Sequence, residues 1–168
     1  MNYASAASLN AYAGIEWTAG YSTFTQPRCR PRAIFRIQTP ATITSARWFV
    51  GLGSARLGPA AVLNGEVACF RYDTGADGTA FWRVVTNTAS GAGTVTTTTV
   101  AFAASTTYLL EIDYSGAAPK FYIDNVLVAT HTTTIPLVDS NLGLSVICYT
   151  LSTGARSIAV NYVHGSSD

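Results

Sequence analysis

The sequence predicts an all-β protein, an antiparallel two-sheet sandwich of the jelly-roll type. Short runs rich in Thr, Val, Ile, Tyr and Phe are separated by Gly, Pro, Asn or Ser, which is the pattern of strands and turns. Helical periodicity is nearly absent, and helix formers are scarce, with one lysine and three glutamates in 168 residues. About ten such runs follow one another at roughly 8–12-residue spacing, which is typical of sandwiches.

The first part of the chain differs from the rest. Residues 1–27 are rich in Ala, Ser, Tyr and Thr and show little alternation, so we expect an N-terminal arm or an edge segment there. Residues 28–168 form the predicted jelly-roll domain. Within it, the stretch 87–99 predicts a mobile loop that leads into a polar edge strand.

Three runs alternate between apolar and polar residues, which predicts strands with one face on a core. They span 32–38, 108–114 and 156–164. The side chains predicted to point inward are Ala33, Phe35, Ile37, Tyr108, Leu110, Ile112, Tyr114, Ile158, Val160 and Tyr162.

Other runs are apolar on both faces, which predicts central strands or strands whose outer face meets a partner. These runs span 46–52, 66–72, 80–86 and 142–150. The stretch 121–128 predicts a β-hairpin with Asp124 and Asn125 at its tip, because both residue types tolerate positive φ.

The composition excludes several classes of function. The chain carries 10 Lys+Arg against 9 Asp+Glu, so it lacks the positive field that phosphate backbones require, and we expect no nucleic-acid partner. No apolar run approaches the roughly 18 residues of a membrane span, so we expect no membrane partner. The first residues lack the basic and apolar regions of a secretory signal, which favours folding in a cytoplasm.

The three cysteines, Cys29, Cys69 and Cys148, lie far apart, without the paired spacing of a zinc or redox site. The last two lie in apolar runs, where a thiol commonly packs as a small hydrophobe. We expect three reduced, structural thiols, with a Cys29–Cys69 bridge as the alternative.

Glu111 and Asp113 are the one candidate pair for catalysis. Carboxylates two residues apart on a strand point the same way, about 6.5–7 Å apart at Cα, and such a pair is a starting point for glycoside hydrolysis. The alternative is the outward polar face of a half-buried strand. We adopt this alternative and expect a protein that is not an enzyme and has no catalytic residue.

No metal or cofactor site is predicted. His131 and His164 are the only histidines, and neither has further donors at ligand spacing. The stretch 73–78 is similar in composition to a calcium loop but has only two acidic side chains. We expect a tight hairpin turn there, with weak calcium binding as the alternative.

Charge is unevenly distributed along the chain. Residues 28–83 hold eight arginines and three carboxylates, a local net charge of +5, whereas residues 84–168 hold two basic and five acidic residues, a net charge of −3. This asymmetry favours either pairing within the monomer or docking on a partner, since arginine suits bidentate protein contacts. Arginines and aromatic residues occur together in the segment 17–36, as they do in interfaces. The residues expected to dock are Trp17, Tyr21, Phe24, Arg28, Arg30 and Arg32.

Three stretches together resemble the concanavalin A-like lectin/glucanase (laminin G-like) jelly roll. They are 107–114, 119–129 with its YIDN hairpin, and 157–163. The family pattern covers roughly residues 30 to 164. Enzymatic members of this family place a third carboxylate two or three positions beyond the second, where this chain has Ser115 and Gly116. The resemblance therefore implies the fold without the activity.

Short, Thr/Ala-rich domains of this kind, without catalytic acids, resemble bacteriophage virion proteins. The resemblance implies a non-enzymatic virion structural protein, made in the host cytoplasm, above all a capsid decoration (cement) protein bound to the major capsid protein or another virion protein. Because charge is low and apolar residues are many, we expect a homo-oligomer, a trimer before a dimer.

Two alternative functions stay open. One is a carbohydrate-binding tail or fibre adhesin, in which Trp48, Trp82 and Tyr122 would stack on a sugar. The other is a sandwich-fold glycosidase that acts through Glu111 and Asp113.

Overall fold

Thirteen β-strands make up the regular structure of the residues that the structure describes. The structure is a computed structural model that describes residues 1–16, 24–25, 32–54, 57–58, 63, 65–78, 80–88, 93–136 and 141–166. These residues hold no α-helix, and so no helix long and apolar enough to cross a membrane. The strands are β1 (Asn2–Ala4), β2 (Tyr12–Glu16), β3 (Phe24–Thr25), β4 (Arg32–Gln38), β5 (Ala46–Gly53), β6 (Val67–Asp73), β7 (Phe81–Asn87), β8 (Thr94–Ala101), β9 (Thr107–Asp113), β10 (Lys120–Ile123), β11 (Val126–Thr130), β12 (Asn141–Thr150) and β13 (Ser157–Ser166).

The strands form two antiparallel sheets. The six-stranded sheet has the order β1-β13-β4-β9-β10-β11. The seven-stranded sheet has the order β2-β12-β5-β6-β7-β8, with β3 also paired to β12. Chain neighbours β4 and β5 lie in different sheets, so the chain crosses between layers. The predicted all-β, antiparallel two-sheet jelly roll is confirmed.

The core lies between the sheets and is rich in aromatic rings. The alternation predicted for β4 and β9 is confirmed, since every side chain predicted to point inward from these two runs is buried. Trp48 and Trp82 lie at the centre and pack on Phe102, with ring centroids 4.9 and 4.6 Å away. Tyr72 stacks on the same phenylalanine at 3.8 Å. Aromatic pairs in such offset and edge geometries each add about 0.5–1.5 kcal/mol beyond the area they bury.

The strand β13 departs from its predicted alternation. Ile158 and Val160 point into the core as predicted, but the register against β4 shifts between Val160 and Tyr162. One extra residue reverses the facing of everything that follows it in a strand. Tyr162 is therefore turned outward and is 49% exposed, while Val163 packs against the core. The inward placement predicted for Tyr162 was wrong.

The runs predicted as central strands are β5, β6, β7 and β12, which lie in the middle of the seven-stranded sheet. Almost every residue of these strands is buried on both faces. β8 is the last strand of this sheet, as predicted for an edge strand.

The N-terminal residues contribute a strand to each sheet. β1 pairs with β13 at the edge of the six-stranded sheet, and β2 pairs with β12 in the other. The predicted boundary between residues 27 and 28 lies outside the described residues, so the division into arm and domain stays a prediction.

The β10–β11 hairpin has the predicted tip. Asp124 and Asn125 adopt φ values of 50° and 66°, a left-handed conformation that Asp and Asn tolerate better than most residues. Oδ1 of Asp124 also accepts a hydrogen bond of 2.8 Å from the Leu109 amide.

Cys69 and Cys148 are buried free thiols, as predicted. Burial raises the pKa of each to about 12. A Cys29–Cys69 bridge is excluded because Cys69 is free, while Cys29 itself lies outside the described residues.

Candidate functional site

The outward face of the seven-stranded sheet, called the covered face below, is filled by the chain itself. Leu57 and Leu63, from the segment between β5 and β6, pack on it. Together with the sheet side chains beneath them, they form one apolar cluster. The other members of this cluster are Phe49, Val67, Cys69, Val85, Ile147 and Tyr149. The Tyr149 hydroxyl donates to the Leu57 carbonyl at 2.6 Å, and the Asn87 amide donates to the Leu63 carbonyl at 2.6 Å. A ligand at the centre of this face would have to displace that segment.

Beside this cluster, the covered face carries buried ion pairs. Arg47 Nε lies 2.5 Å from Asp73 Oδ2, and Asp77 binds Arg71 at 2.6 Å and Arg83 at 3.2 Å. These arginines and carboxylates come from one half of the chain, so part of its positive charge is neutralised within the monomer.

The partners of these two carboxylates show whether the stretch 73–78 is free to bind calcium. Asp73 Oδ1 accepts hydrogen bonds from the amides of Gly75 and Ala76, which closes the β6–β7 turn. Both acidic side chains of the stretch 73–78 are thus committed to arginine or to the turn. A calcium ion needs several free oxygen ligands, so the hairpin interpretation fits and calcium binding does not. No group of three or more His, Cys, Asp or Glu among the described residues could hold a metal ion.

His131 has a structural position between the sheets. Its Nδ1 lies 2.8 Å from the Thr86 hydroxyl and its Nε2 lies 3.0 Å from the Thr96 hydroxyl. The ring packs on Phe121 with centroids 5.4 Å apart. Burial lowers the pKa of His131, so the neutral ring is favoured.

The outward face of the six-stranded sheet, called the open face below, presents its side chains in rows across the strands. One row runs through His164, Ile34, Glu111, Tyr122 and Leu127. The adjacent row contains Tyr162, Arg36 and Leu109. Each row includes a charged side chain, Glu111 in the first and Arg36 in the second, and Leu127 and Tyr162 are about half exposed.

Glu111 and Asp113 lie on this open face, where each carboxylate has a hydrogen-bond partner. Arg32 Nε donates to Glu111 Oε1 at 2.7 Å. Burial alone would raise the pKa of Asp113, but hydrogen bonds from Ser115 and the charges of Arg32 and Lys120 outweigh it, and the pKa is lowered. A glycosidase acid requires the opposite shift, because it must hold a proton near neutral pH.

Tyr162, which the alternation predicted to point into the core, is an exposed ring on the open face. Its ring lies nearly parallel to that of His164, with centroids 6.1 Å apart and an interplanar angle of 10°. In the same row, Arg36 and Leu109 line a groove of about 360 Å³ together with Thr107 and Asp124. Tyr162 is the cross-strand partner of Arg36, but it lines a second groove, of about 390 Å³, together with Tyr3 and Ile15.

The polar side chains at this groove have unused hydrogen-bonding capacity. Among the residues that the structure describes, Arg36 and Gln38 make no side-chain hydrogen bond or ion pair, and the Tyr162 hydroxyl makes no hydrogen bond. Arg36 and Gln38 are both exposed on β4. The groove itself offers the Arg36 guanidinium, while the Gln38 amide and the Tyr162 phenol lie elsewhere on the open face.

Two of the three residues considered for sugar stacking are misplaced for it. Trp48 and Trp82 are 0% exposed in the core, so neither offers a ring face to a ligand. Successive side chains of a strand point to opposite faces of the sheet. In β5 and β7, the tryptophan positions belong to the face that lies between the two sheets. Tyr122 lies on the open face and is half-buried.

Most of the residues predicted to dock on a partner lie outside the described residues. These are Trp17, Tyr21, Arg28 and Arg30. Phe24 is described only as part of β3. Arg32 is exposed at the start of β4, where it pairs with Glu111.

Comparison with known proteins supports a fold and no closer relationship. No protein-family model matches the chain, and no curated protein matches it. A Bacteroides ovatus mixed-linkage glucan enzyme of glycoside hydrolase family 16 matches over 98% of this chain and 79% of its own length, at a TM-score of 0.66 and 10% sequence identity. The carbohydrate recognition domain of Emp47p matches over 98% of this chain and 82% of its own length, at a TM-score of 0.69 and 8% sequence identity. Sheep galectin-11 matches over 86% of this chain and 94% of its own length, at a TM-score of 0.55 and 11% sequence identity.

The chain thus has the concanavalin A-like jelly-roll fold that the sequence resemblance implied. Carbohydrate-binding lectins and glycosidases share this fold. Sequence identities of 8–11% carry no residue role from these proteins to this chain.

Proposed function

We propose that this chain is a non-enzymatic binding protein that attaches to a larger assembly. The observation that carries the proposal is the state of the only candidate catalytic pair. Glu111 is bound by Arg32 through an ion pair, and the pKa of Asp113 is lowered, so the structure favours no proton on Asp113 and leaves no carboxyl of the pair unpartnered. Glycoside hydrolysis needs one carboxyl that keeps its proton beside one that does not.

Hydrolysis assays test the non-enzymatic part of the proposal. Mixed-linkage glucan and laminarin are suitable substrates, with a family 16 glucanase as positive control. We expect no release of reducing ends by the wild-type chain or by Glu111→Gln. Wild-type hydrolysis that disappears in Glu111→Gln would contradict the proposal.

The assembly we propose is a bacteriophage particle, with the chain as a capsid decoration protein. This proposal comes from the sequence resemblance to bacteriophage virion proteins. Mass spectrometry of purified particles gives the number of copies per major capsid subunit. A ratio near one, or a simple fraction of one, is expected of a decoration protein. A few per cent would favour a tail or fibre adhesin instead, and absence from particles would overturn the virion role.

The predicted docking residues can be tested together. Arg28, Arg30 and Arg32 changed to Ser should weaken attachment to the particle. Arg32 also holds Glu111, so Glu111→Gln is the matched control that breaks the same ion pair without removing an arginine. Equal attachment of the triple variant and the wild type would contradict the docking assignment.

We also propose that the chain is a homo-oligomer, a trimer before a dimer. Low charge and exposed apolar side chains such as Leu127 support self-association. Light scattering after size exclusion measures the mass directly. A mass equal to the 17.7 kDa of one chain over the whole concentration range would refute it.

The second candidate function is carbohydrate binding. Two observations favour it: the fold similarity to the carbohydrate recognition domain of Emp47p, and the exposed Tyr162 beside hydrogen-bonding groups without partners. This function is compatible with an adhesin in the same kind of particle.

A further inference from the structure

Part of β13 has an open edge, because β1 covers only the beginning of that strand. On the side away from β4, β1 pairs with residues 157–159, and a last backbone hydrogen bond runs from the Val160 amide to the Met1 carbonyl. Beyond it, among the described strands, none pairs with this side of residues 162–166, where the register against β4 is regular. These five residues therefore present backbone donors and acceptors to a further strand.

A mostly apolar groove of about 390 Å³ opens beside this edge. It lies at the margin between the two sheets, since Tyr3 of β1 and Ile15 of β2 both line it. Tyr162 borders the groove from the open face. A strand added to β13 would thus gain backbone hydrogen bonds and an apolar surface together.

β11 is the open edge at the other end of the same sheet. Among the described strands it pairs with β10 alone, and it has five residues. Val126 and Leu127 are 62% and 51% exposed, although both are apolar. Leu127 lies on the open face opposite Tyr122, whereas Val126 is opposite the core residue Ile123 and so belongs to the other face.

Neither edge carries the usual protection against pairing with another chain. Soluble proteins commonly place charged side chains or proline on an exposed edge strand. The sequences VLVAT of β11 and YVHGS of residues 162–166 contain no Lys, Arg, Asp, Glu or Pro. The two edges also match in length, at five residues each. Because uncharged edges of equal length do not repel each other, a second copy of this chain suits both.

The directions of the two strands determine how two copies can pair. Four successive antiparallel pairings lead from β13 through β4, β9 and β10 to β11, so β13 and β11 run in the same direction. Copies related by rotation about an axis along the strands therefore bring β11 of one copy parallel to β13 of the next. The same rotation keeps the open face of every copy outward.

The side chains and the hairpin tip fit this arrangement. Leu127 comes beside Tyr162 of the next copy on the open face, and Val126 faces the groove. In this register the Asp124–Asn125 tip, which directly precedes β11, lies at the level where β1 stops covering β13. The hairpin therefore turns away before it meets β1.

We propose that β11 of one copy adds to residues 162–166 of β13 in a second copy, so that the six-stranded sheets continue from chain to chain. This interface rests on the homo-oligomer proposed above and names its contacts. It is heterologous, since it joins two different edges, and its repetition by rotation closes a ring. Three copies form the ring, in keeping with the proposed trimer.

Variants with a blocked edge test the interface by light scattering after size exclusion. Val126→Lys/Leu127→Lys blocks β11, and Tyr162→Lys blocks the edge of β13. All three side chains are exposed, so each variant should fold, as circular dichroism verifies. The wild type is expected at three times the 17.7 kDa of one chain, and each variant at the mass of one chain. Each change should raise the concentration needed for assembly about ten-fold or more, because it buries an unpaired ammonium group.

The matched control is Val95→Lys. Val95 is 39% exposed on β8, which is the edge strand of the other sheet, so this variant should assemble like the wild type.

An equimolar mixture of the two blocked variants separates pairing of two different edges from pairing of one edge with itself. The β11 variant keeps an intact β13 edge, and the β13 variant keeps an intact β11, so one contact forms but no ring. The mixture is expected at the mass of two chains.

The outcomes separate this interface from the homo-oligomer itself. A wild-type oligomer that neither edge variant changes, an equal loss of assembly in Val95→Lys, or a mixture that stays monomeric would overturn the interface alone. A wild type that is monomeric at every concentration would overturn both proposals. If such a monomer attached to particles through Val126 and Leu127, a virion protein would occupy the edge instead of a second copy.

Discussion

Replacing Asp73 should strongly destabilise the protein. Asp73 is 0% exposed and holds Arg47, itself buried, through a contact of 2.5 Å. Asp73→Asn keeps an acceptor for the turn amides of Gly75 and Ala76 but leaves the guanidinium buried without a counter-charge. Removing one partner of a buried ion pair costs about 3–5 kcal/mol. Asp73→Ala also loses the two turn hydrogen bonds, which adds about 1–3 kcal/mol.

Urea unfolding followed by tryptophan fluorescence measures these changes, because Trp48 and Trp82 are fully buried and report on the core. For Asp73→Asn, a loss of about 3 kcal/mol corresponds to a melting temperature lower by about 6–12 °C. Adding Arg47→Met to Asp73→Asn should recover about 2 kcal/mol, because the uncompensated charge is removed.

The matched control is the ion pair on the open face. Glu111→Gln breaks the pair with Arg32, whose side chain is 54% exposed, so it should cost at most about 1 kcal/mol. A loss below about 1 kcal/mol in Asp73→Asn, or no recovery on adding Arg47→Met, would refute the reasoning that Asp73 and Arg47 act as a buried pair.

Three further predictions follow from buried groups. Because burial lowers the pKa of His131 in the folded protein, the unfolded chain binds more protons at acid pH; stability from this group is complete above about pH 6.5 and falls below it. Unfolding free energies measured from pH 7 to pH 5 should therefore fall less in His131→Gln than in the wild type. Cys69 and Cys148, with pKa values raised to about 12, should resist iodoacetamide at pH 8 in the folded protein and react in urea, as read by mass spectrometry. Tyr149→Phe removes the hydrogen bond to the Leu57 carbonyl and should cost about 1 kcal/mol, with faster hydrogen exchange at the Leu57 amide.

The fold could be predicted because it depends on local patterns. Because β4 and β9 alternate, each has one apolar face, and only one pairing register turns both apolar faces toward the core. The Asp124–Asn125 tip depends only on residues that tolerate positive φ. These features do not require knowledge of what lies across the core.

Tyr162 could not be placed by the same rule, since a bulge changes strand phase without changing composition. A signal was nevertheless present in the sequence. Tyr162 and Val163 are consecutive apolar residues after a regular alternation, and only a phase change lets Val163 reach the core. Strict period-2 reasoning placed Tyr162 inward and so missed an exposed ring of the open face.

The covered face shows a second limit of pattern reasoning. Strands that are apolar on both faces indicate burial on both faces, but not whether a partner or the chain itself provides the cover. Here Leu57 and Leu63 provide it, from a segment with no strand pattern of its own. What covers a face depends on tertiary contacts across many residues, and a local period carries no information about them.

The two outward faces of the sandwich therefore differ in what their side chains contribute to stability. On the covered face, apolar side chains and arginine–carboxylate pairs are satisfied within the monomer, and removing any of them is expected to cost stability. On the open face, Arg36, Gln38 and Tyr162 have no side-chain hydrogen-bond partner among the described residues, so replacing them leaves no buried group unpaired. Side chains whose replacement changes the free energy of unfolding little are available to bind a ligand or partner. Substitutions on the open face should thus change affinity without changing the melting temperature, and a variant such as Arg36→Ala that lowered both equally would place this face among the structural elements instead.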